Sequence, residues 1–157
     1  MEAPKFIADH NVGKLARWLR LIGYDAEFFK GNESELVARA LDEDRIILTR
    51  GTRIALRRMT KSGGIQVVTF VTDEPEEQAC QLIDKLNLKI HYANFTLCLE
   101  CNQAFEERQK EQLKGRLPPY VYKNMDRFTE CPSCRRLYWK GTHWRAMVEQ
   151  IEKLKQC

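Results

Sequence analysis

Short apolar runs and amphipathic segments alternate along the first half of the chain. Four runs have the length and composition of strands: KFIAD (5–9), DAEFF (25–29), RIILT (45–49) and IQVVTFV (65–71). The run at 45–49 is apolar at consecutive positions, which indicates burial on both faces of a sheet. Strands separated by helix-length segments predict an α/β domain with a parallel sheet and right-handed crossovers.

The segments between these runs have the periodicity of helices. Residues 12–23 repeat apolar side chains at i, i+3, i+4 and i+7, and the glycine at their end is expected to cap the helix. A second helix is predicted over 33–44 with Asn32 as its N-cap, and a third over 73–87, where acidic residues and a proline come first. The stretch after the third strand predicts a further, strongly basic helix.

The pattern changes near residue 90. From there the chain has short strands, loops and paired cysteines, and it closes with a predicted helix over 144–156. The sequence therefore predicts two parts: an α/β domain over 1–90, and a smaller subdomain with a C-terminal helix over 91–157.

Four of the six cysteines form two Cys-x-x-Cys pairs, CLEC (98–101) and CPSC (131–134). Two such pairs supply four thiolates for a tetrahedral zinc, and four cysteine ligands leave no open position, so the zinc is expected to be structural. Four unconnected thiols and a redox-active pair are the alternatives. We predict one zinc per chain, with these ligands: Cys98, Cys101, Cys131 and Cys134.

The other candidate ligands receive simpler interpretations. Cys80 falls in the predicted helix over 73–87 and Cys157 is the last residue, and both are interpreted as incidental thiols. His143 could replace a cysteine ligand, but four cysteines suffice, so a structural or surface role is favoured.

Composition and charge narrow the class of protein. With 43% hydrophobic and 31% charged residues, and no apolar run near the ~20 residues of a membrane span, we expect a globular cytoplasmic protein without a membrane partner. The net charge of +4 permits nucleic acid as a partner without requiring it. Residues 1–72 hold 12 basic and 9 acidic groups, 73–97 hold 2 and 5, and 98–157 hold 12 and 8. Two basic regions therefore flank an acidic connector.

Acidic side chains are expected at the edge of the sheet where parallel strands end, which is where open α/β sheets bind ligands. Asp9 ends the first predicted strand, Asp73 follows the fourth, and Glu33 begins the helix after the second. Carboxylates that converge there can hold Mg²⁺ or Mn²⁺, which activate water and stabilise the charge developing in phosphodiester cleavage. A turn or capping role for Asp9 is the alternative, and His10 is expected to position neighbours rather than bind metal.

The stretch RIILTRGTRIALRRMTK (45–61) gathers six basic residues and no acidic one. Arg53, Arg57 and Lys61 lie at i, i+4 and i+8, a spacing of like charges that destabilises a helix by a few tenths of a kcal/mol per pair. An anionic partner would relieve that cost. Together with Arg50 these residues form a candidate phosphate-backbone site, and a solvated helix face is the alternative.

Six segments together resemble the Mut-seven C-terminal RNase domain family. They are FIADHNVGKLARWLRLIGYDAE, RIILTR, VTDEPEEQ, CLECN, LPPYV and CPSCRRLYWKGTHWRAM, and they run from about residue 5 to 148. The resemblance implies a PIN-like nuclease fold, named for the PilT N-terminus, with a zinc ribbon at its C-terminus. It matches the four cysteines to the ribbon, Asp9 and Asp73 to the acids after strands one and four, and Glu33 to a helix-borne acid.

The chain departs from the family pattern at the third strand. The family motif there usually reads Thr-Arg-Asp, whereas residues 49–51 of this chain read Thr-Arg-Gly. The aspartate that would face the metal is absent, which leaves three candidate acids. Asp25, which the motif GYD places at the start of a strand and so at the opposite sheet edge, is interpreted as structural.

Two functions follow from these observations. The first is a metal-dependent ribonuclease that hydrolyses RNA phosphodiester bonds, with Asp9, Glu33 and Asp73 around Mg²⁺ or Mn²⁺. The second is a catalytically impaired module that binds RNA or docks in a ribonucleoprotein particle, and Gly51 favours it.

The ribbon would extend the RNA-binding surface in either case. Arg135, Arg136 and Lys140 are candidate phosphate contacts there. Tyr138 and Trp139 either stack on bases or, as the favoured alternative, pack in the ribbon core.

Overall fold

The computed structural model describes residues 2–54, 62–91 and 96–157. Its first half contains β1 (Lys5–Ala8), α1 (Gly13–Leu21), β2 (Ala26–Phe28), α2 (Glu33–Asp42), β3 (Arg45–Thr49), β4 (Val67–Thr69) and α3 (Pro75–Leu86). Its second half contains β5 (Glu106–Arg108), a 3₁₀ turn (Lys110–Leu113), α4 (Pro119–Asn124), β6 (Phe128–Glu130), β7 (Leu137–Tyr138) and α5 (Thr142–Leu154). The predicted basic helix lies mostly outside the described residues.

The first four strands form one parallel sheet in the order β2-β1-β3-β4. The predicted α/β architecture with a parallel sheet and flanking helices is thereby confirmed. The chain leaves β1 towards β2 on one side of the sheet, and it leaves β3 towards β4 on the opposite side. The direction of the strand order therefore reverses between β1 and β3. The carboxyl ends of β1 and β3 therefore flank the switch point of the sheet, the place where open α/β sheets bind ligands.

Apolar side chains alternate between the two faces of this sheet. Phe6 and Leu48 pack with α1 and α3 on one face, whereas Ile7 and Ile47 pack with α2 on the other. This alternation follows from the two-residue repeat of a strand. The sheet is consequently covered on both sides, as the apolar run at 45–49 predicts.

Two predicted helix ends are confirmed. Asn32 caps α2, because its side chain accepts a hydrogen bond from the backbone N–H of Glu35 at 2.9 Å, and the Glu35 carboxylate accepts one from the backbone N–H of Asn32. This reciprocal pair is a capping box. Gly23 follows α1 with a φ of +98°, a backbone conformation that glycine adopts without steric cost.

The C-terminal half adds a three-stranded antiparallel sheet, β5-β6-β7, and its last helix returns to the first sheet. Ile151 and Leu154 of α5, together with Leu99, are buried in the same apolar cluster as α1 and α3. The division of the chain at residue 90 stays a prediction, and apolar packing runs across it.

A disulfide joins Cys80 of α3 to Cys157, with the two Cα atoms 5.4 Å apart. The interpretation of these residues as incidental thiols is therefore wrong. Sequence spacing gave no sign of the pair, because 77 positions separate the residues and only the packing of α5 against α3 brings them together.

Candidate functional site

The four predicted zinc ligands come together in the structure. The sulfur atoms of Cys98, Cys101, Cys131 and Cys134 all lie within 4.8 Å of one another. Ligands at the ~2.3 Å Zn–S distance of a tetrahedral site lie about 3.8 Å apart, and the Cys98 and Cys134 sulfurs are separated by 3.7 Å. The cluster can thus hold a metal ion such as zinc.

The surroundings of Cys98 favour its thiolate form. Burial by itself would raise the pKa of the Cys98 thiol, but hydrogen bonds from Tyr138 and from neighbouring backbone groups lower it to about 7. The Tyr138 oxygen lies 3.6 Å from the Cys98 sulfur. Burial, reinforced by this sulfur, raises the pKa of Tyr138, so that Tyr138 stays a hydrogen-bond donor. Tyr138 is therefore a supporting residue of the cysteine cluster.

A buried carboxylate holds the second cysteine pair in place. Glu130, the last residue of β6, is 1% exposed and accepts charge-assisted hydrogen bonds from Arg116 at 2.7 Å and Arg108 at 2.8 Å. Arg135, in the turn between β6 and β7, lies 3.1 Å from the same carboxylate. These guanidinium groups, Arg116 first, lower the pKa of Glu130 to about 2. Arg135, a candidate phosphate contact, is thus already paired within the ribbon.

The first cysteine pair docks against the α/β sheet through buried polar contacts. Arg20 of α1 is 7% exposed and donates hydrogen bonds to the carbonyl oxygens of Ala26 and Leu99, each at 2.7 Å. Asn102 accepts from the backbone N–H of Ala26 at 3.1 Å and donates to Asp25 at 2.6 Å. The cysteine cluster is therefore tied to the amino edge of β2.

Asp25 has the structural role expected of it. Its carboxylate accepts hydrogen bonds from Arg45 and from Asn102, at 2.7 Å and 2.6 Å. Burial would raise the pKa of Asp25, but these two partners lower it. The residue thus connects β3, β2 and the first cysteine pair through one ionised group.

Asp9 lies at the switch point of the sheet, directly after β1. Its side chain is 9% exposed, and each carboxylate oxygen accepts one hydrogen bond, from the Thr49 hydroxyl and from the backbone N–H of Asn11 at 2.9 Å. The Thr49 oxygen also accepts from the backbone N–H of Gly51 at 2.9 Å. A carboxylate has about four lone-pair sites, so Asp9 keeps acceptor capacity for a cation.

Two clefts adjoin this carboxyl edge and meet at Asn11, which lines both. The first has a volume of about 490 Å³ and is lined by the ends of β3 and β4, including Arg50, Gly51 and Val71. The second has a volume of about 570 Å³ and runs between α1, the start of α3 and the first cysteine pair. Its lining includes His10, Lys14, Asp73 and Glu100.

The three candidate catalytic acids occupy different positions around this edge. Asp73 is exposed in the second cleft, and Glu33 is half-buried at the first turn of α2. Within the described ranges, the cysteine cluster is the one group of three or more His, Cys, Asp or Glu side chains placed to hold a metal, so the three acids do not converge to that degree. Their catalytic role stays a prediction.

Only some of the candidate RNA-backbone residues lie within the described structure. Arg50 is exposed beside the first cleft and its guanidinium lies 3.4 Å from the carbonyl oxygen of Val71, and Arg53 is exposed in the turn that follows. Arg57 and Lys61 lie outside the residues that the structure describes. Arg136, a candidate in the ribbon, lies 3.7 Å from Glu100.

Two side chains that the fold places at functional positions, Thr49 and Arg20, are not among the predicted site residues. Thr49 was recognised as the end of a strand, but its hydroxyl reaches Asp9 because β1 and β3 are adjacent. Arg20 is a charged residue within the predicted helix over 12–23, yet it is buried under the first cysteine pair. Neither position carries a local signal, since each role depends on residues distant in the chain.

A parallel sheet with an acid at its switch point and a four-cysteine cluster define an α/β protein with an attached metal-binding subdomain. The chain belongs to the Mut7-C RNAse domain family, whose model matches residues 4–151. This membership supports a ribonuclease-like function with RNA as substrate. The chain matches no curated protein and no solved structure.

Proposed function

We propose that this protein is a metal-dependent ribonuclease that hydrolyses RNA phosphodiester bonds at the carboxyl edge of a PIN-like sheet. The observation that carries the proposal is the place of Asp9. It is a nearly buried carboxylate at the switch point, oriented by Thr49 and Asn11 and adjoined by two open clefts. A family of RNAse domains covers the whole of this region.

The donor chemistry at this edge suits a hard cation. Mg²⁺ commonly binds through one or two carboxylates, several waters and substrate phosphates, rather than in a closed cage of protein ligands. Asp9 would be the oriented ligand and Asp73 the exposed one, with Glu33 as a third acid. A bound Mg²⁺ or Mn²⁺ would activate water and stabilise charge on the phosphate.

The remaining residues of the edge would bind and orient RNA. Arg50 and Arg53 are exposed next to the first cleft, where their charges suit the phosphate backbone. Arg57 and Lys61 are proposed to extend this contact. Lys14 lines the second cleft and would hold phosphate near Asp73.

We infer that the cysteine cluster binds one structural zinc. All four positions of a tetrahedral ion would be filled by sulfur, so no site for water or substrate is left. The ion would hold together a ribbon whose described core is small, with Leu113, Leu117 and Phe128 as its buried members. No described helix is long and apolar enough to cross a bilayer. A cytoplasmic location remains a prediction.

A second function is a catalytically impaired module that binds RNA or docks in a ribonucleoprotein particle. Two observations favour it: glycine occupies position 51 at the end of β3, and the described acids do not converge into a metal-binding group. This module would keep the basic surface and the cysteine cluster and hydrolyse nothing. The two functions differ only at the acidic edge.

Cleavage of labelled single-stranded RNA tests the proposal. The zinc-loaded protein is incubated with Mn²⁺ or Mg²⁺, and the wild type is compared with Asp9→Asn, which keeps the shape of the side chain but lowers its affinity for a cation. We expect the variant to be more than about 100-fold slower. Asp84→Asn, on an exposed position of α3, is the matched control and should cleave at the wild-type rate.

Other outcomes separate the two functions. RNA that is bound but not cleaved by the wild type would identify the impaired module. Equal cleavage by the wild type and Asp9→Asn would refute the assignment of Asp9. Binding is measured by fluorescence anisotropy on the same samples, and zinc content and circular dichroism establish that each variant is folded.

A further inference from the structure

A third cavity, a groove in the ribbon, lies away from the acidic edge. It has a volume of about 580 Å³ and runs between the three-stranded sheet and the start of α5. It shares no lining residue with the two clefts at Asp9. Its size falls in the range of ligand-binding clefts, and its lining combines aromatic rings with cations.

The aromatic side chains of this groove pack against neighbouring groups. Trp139 is half-buried and packs against the ribbon core, as the favoured alternative predicts, with its ring centre 6.3 Å from that of Phe128. A Cβ atom at position 141 would come within 2.7 Å of the Trp139 indole nitrogen. Gly141 therefore lets the indole lie against the backbone. Trp144, on the first turn of α5, is half-buried with the Lys140 ammonium 5.2 Å from its ring centre.

Cations surround these rings. Lys140 and Arg127 are exposed, and neither makes an ion pair within the described part of the chain. Arg108 also lines the groove, although it is engaged with Glu130. Two acids, Glu107 and Asp126, also line the groove, and the Asp126 carboxylate lies 3.7 Å from the Lys110 ammonium, which offsets its charge.

We propose that this groove, with Trp144 and Trp139 as its base-stacking side chains and Arg127 and Lys140 as its phosphate contacts, binds single-stranded nucleic acid. Flat indole rings stack on any base, and nearby cations follow the backbone, which is the combination used by single-strand binding surfaces. An apolar peptide would need rows of aliphatic side chains, whereas Met147 is the only long aliphatic one among the described residues that line the groove. In a duplex the bases are stacked on each other and unavailable to these rings.

This proposal rests on the RNA-binding part of the proposed function and is independent of hydrolysis. The groove would hold a strand while the acidic edge acts on it, or would serve binding alone. Single-strand preference and dependence on Trp144 are its two distinctive consequences.

The test measures binding of a fluorescent oligouridine of about ten nucleotides to the zinc-loaded full chain, at low salt and without added Mg²⁺ or Mn²⁺, so that no cleavage occurs. We expect Trp144→Leu to bind about tenfold more weakly and Trp144→Phe, which retains a ring, to recover most of the loss. Arg127→Gln should weaken binding several-fold and flatten its salt dependence. Lys123→Gln, an exposed cation of α4 outside the groove, is the matched control.

A cross-linking experiment tests the same proposal with the wild-type protein alone, so its result does not depend on whether the variants fold. Oligouridine containing 4-thiouridine is irradiated with the wild-type protein, and cross-linked peptides are identified by mass spectrometry. Cross-links at Trp139, Tyr138 or Trp144 support the proposal, and cross-links confined to other segments overturn it.

The remaining outcomes also decide. Three results would each overturn the proposed binding at the groove. They are equal affinity of the wild type and a folded Trp144→Leu, equal affinity for single strand and duplex, and no binding of single strand. If the wild type binds through Trp144 but never cleaves RNA with Mn²⁺, the proposed binding at the groove is supported and the proposed hydrolysis is refuted. If the wild type cleaves RNA and Trp144→Leu binds the oligonucleotide as tightly as the wild type, the proposed hydrolysis is supported and the proposed binding at the groove is refuted.

Discussion

The cysteine cluster and the acidic sheet edge are both candidate metal centres, but their ligands are arranged differently. Four sulfur atoms lie within 4.8 Å of one another, whereas the described carboxylates at the sheet edge form no comparable group. A structural zinc contributes folding free energy, so its ligands must be assembled by the fold itself. A magnesium site is completed by water and substrate phosphate. Ligand convergence without substrate is thus a requirement of the first kind of site only.

Removing one ligand of the cysteine cluster should have the largest effect. Cys131 is buried, and Cys131→Ser leaves three thiolates for the metal. A structural zinc is worth about 10–16 kcal/mol of folding free energy, so we expect zinc content to fall from one per chain towards zero and the ribbon to unfold. Atomic absorption and circular dichroism measure the two changes. Ser133→Ala, an exposed change between the paired cysteines, should leave both unchanged.

Neutralising the buried carboxylate of the ribbon should have the next largest effect. Glu130→Gln leaves three guanidinium groups without their shared anion, and we expect the melting temperature at pH 7 to fall by several degrees. Because the folded-state pKa is lowered from 4.5, the ordinary value for glutamate, to about 2, the stabilisation is complete above the ordinary pKa and is lost as pH falls towards 2.

Urea unfolding at several pH values measures this dependence. The stability difference between the wild type and Glu130→Gln should be constant near pH 7 and shrink below about pH 4.5, with zinc content followed in parallel. Glu106→Gln, at an exposed partner of Arg108, is the control for a weaker ion pair. A variant as stable as the wild type at pH 7 would contradict the prediction.

Loss of the Thr49 hydroxyl should have a smaller effect on stability and a clear one on the acidic edge. Thr49→Val removes a donor to Asp9 and an acceptor for the N–H of Gly51, at a cost of about 1–2 kcal/mol. We expect cleavage to slow about tenfold and the Mn²⁺ concentration for half-maximal cleavage to rise, because the carboxylate loses its orientation. The exposed Thr96→Val is the control. An unchanged Mn²⁺ requirement would limit Thr49 to a structural role.

Gly51→Asp should change stability least of these variants. It directly tests whether the acidic sheet edge lacks a carboxylate that a metal site would need. Among the described residues, a Cβ atom at this position meets only the Thr49 hydroxyl oxygen, at an ordinary 3.4 Å, so we expect a stability change within about 0.5 kcal/mol. The added carboxylate lies beside the first cleft and should raise both cleavage and the Mn²⁺-dependent gain in melting temperature several-fold over Gly51→Asn. Equal behaviour of the two variants would show that a carboxylate at this position is not limiting.

The elements of the fold follow from local patterns in most cases. The four apolar runs of the first half each contain an observed strand, and the capping box of α2 is readable from Asn32 and Glu35. Strand order is not readable in this way. The contact between Asp9 and Thr49 exists because β3 pairs with β1 rather than with β2, and periodicity within a strand carries no information about its neighbour.

The sequence by itself determined the α/β class, the parallel strands, the family and the four cysteines, because these depend on side-chain period and on ligand spacing over a few residues. Only the tertiary structure decided that Thr49 orients Asp9, that Arg20 and Asn102 join the first cysteine pair to the sheet, and that Cys80 meets Cys157. Each of these contacts links residues distant in the chain. Such contacts form only when packing places whole elements side by side, and that depends on the shape and burial of all of them together.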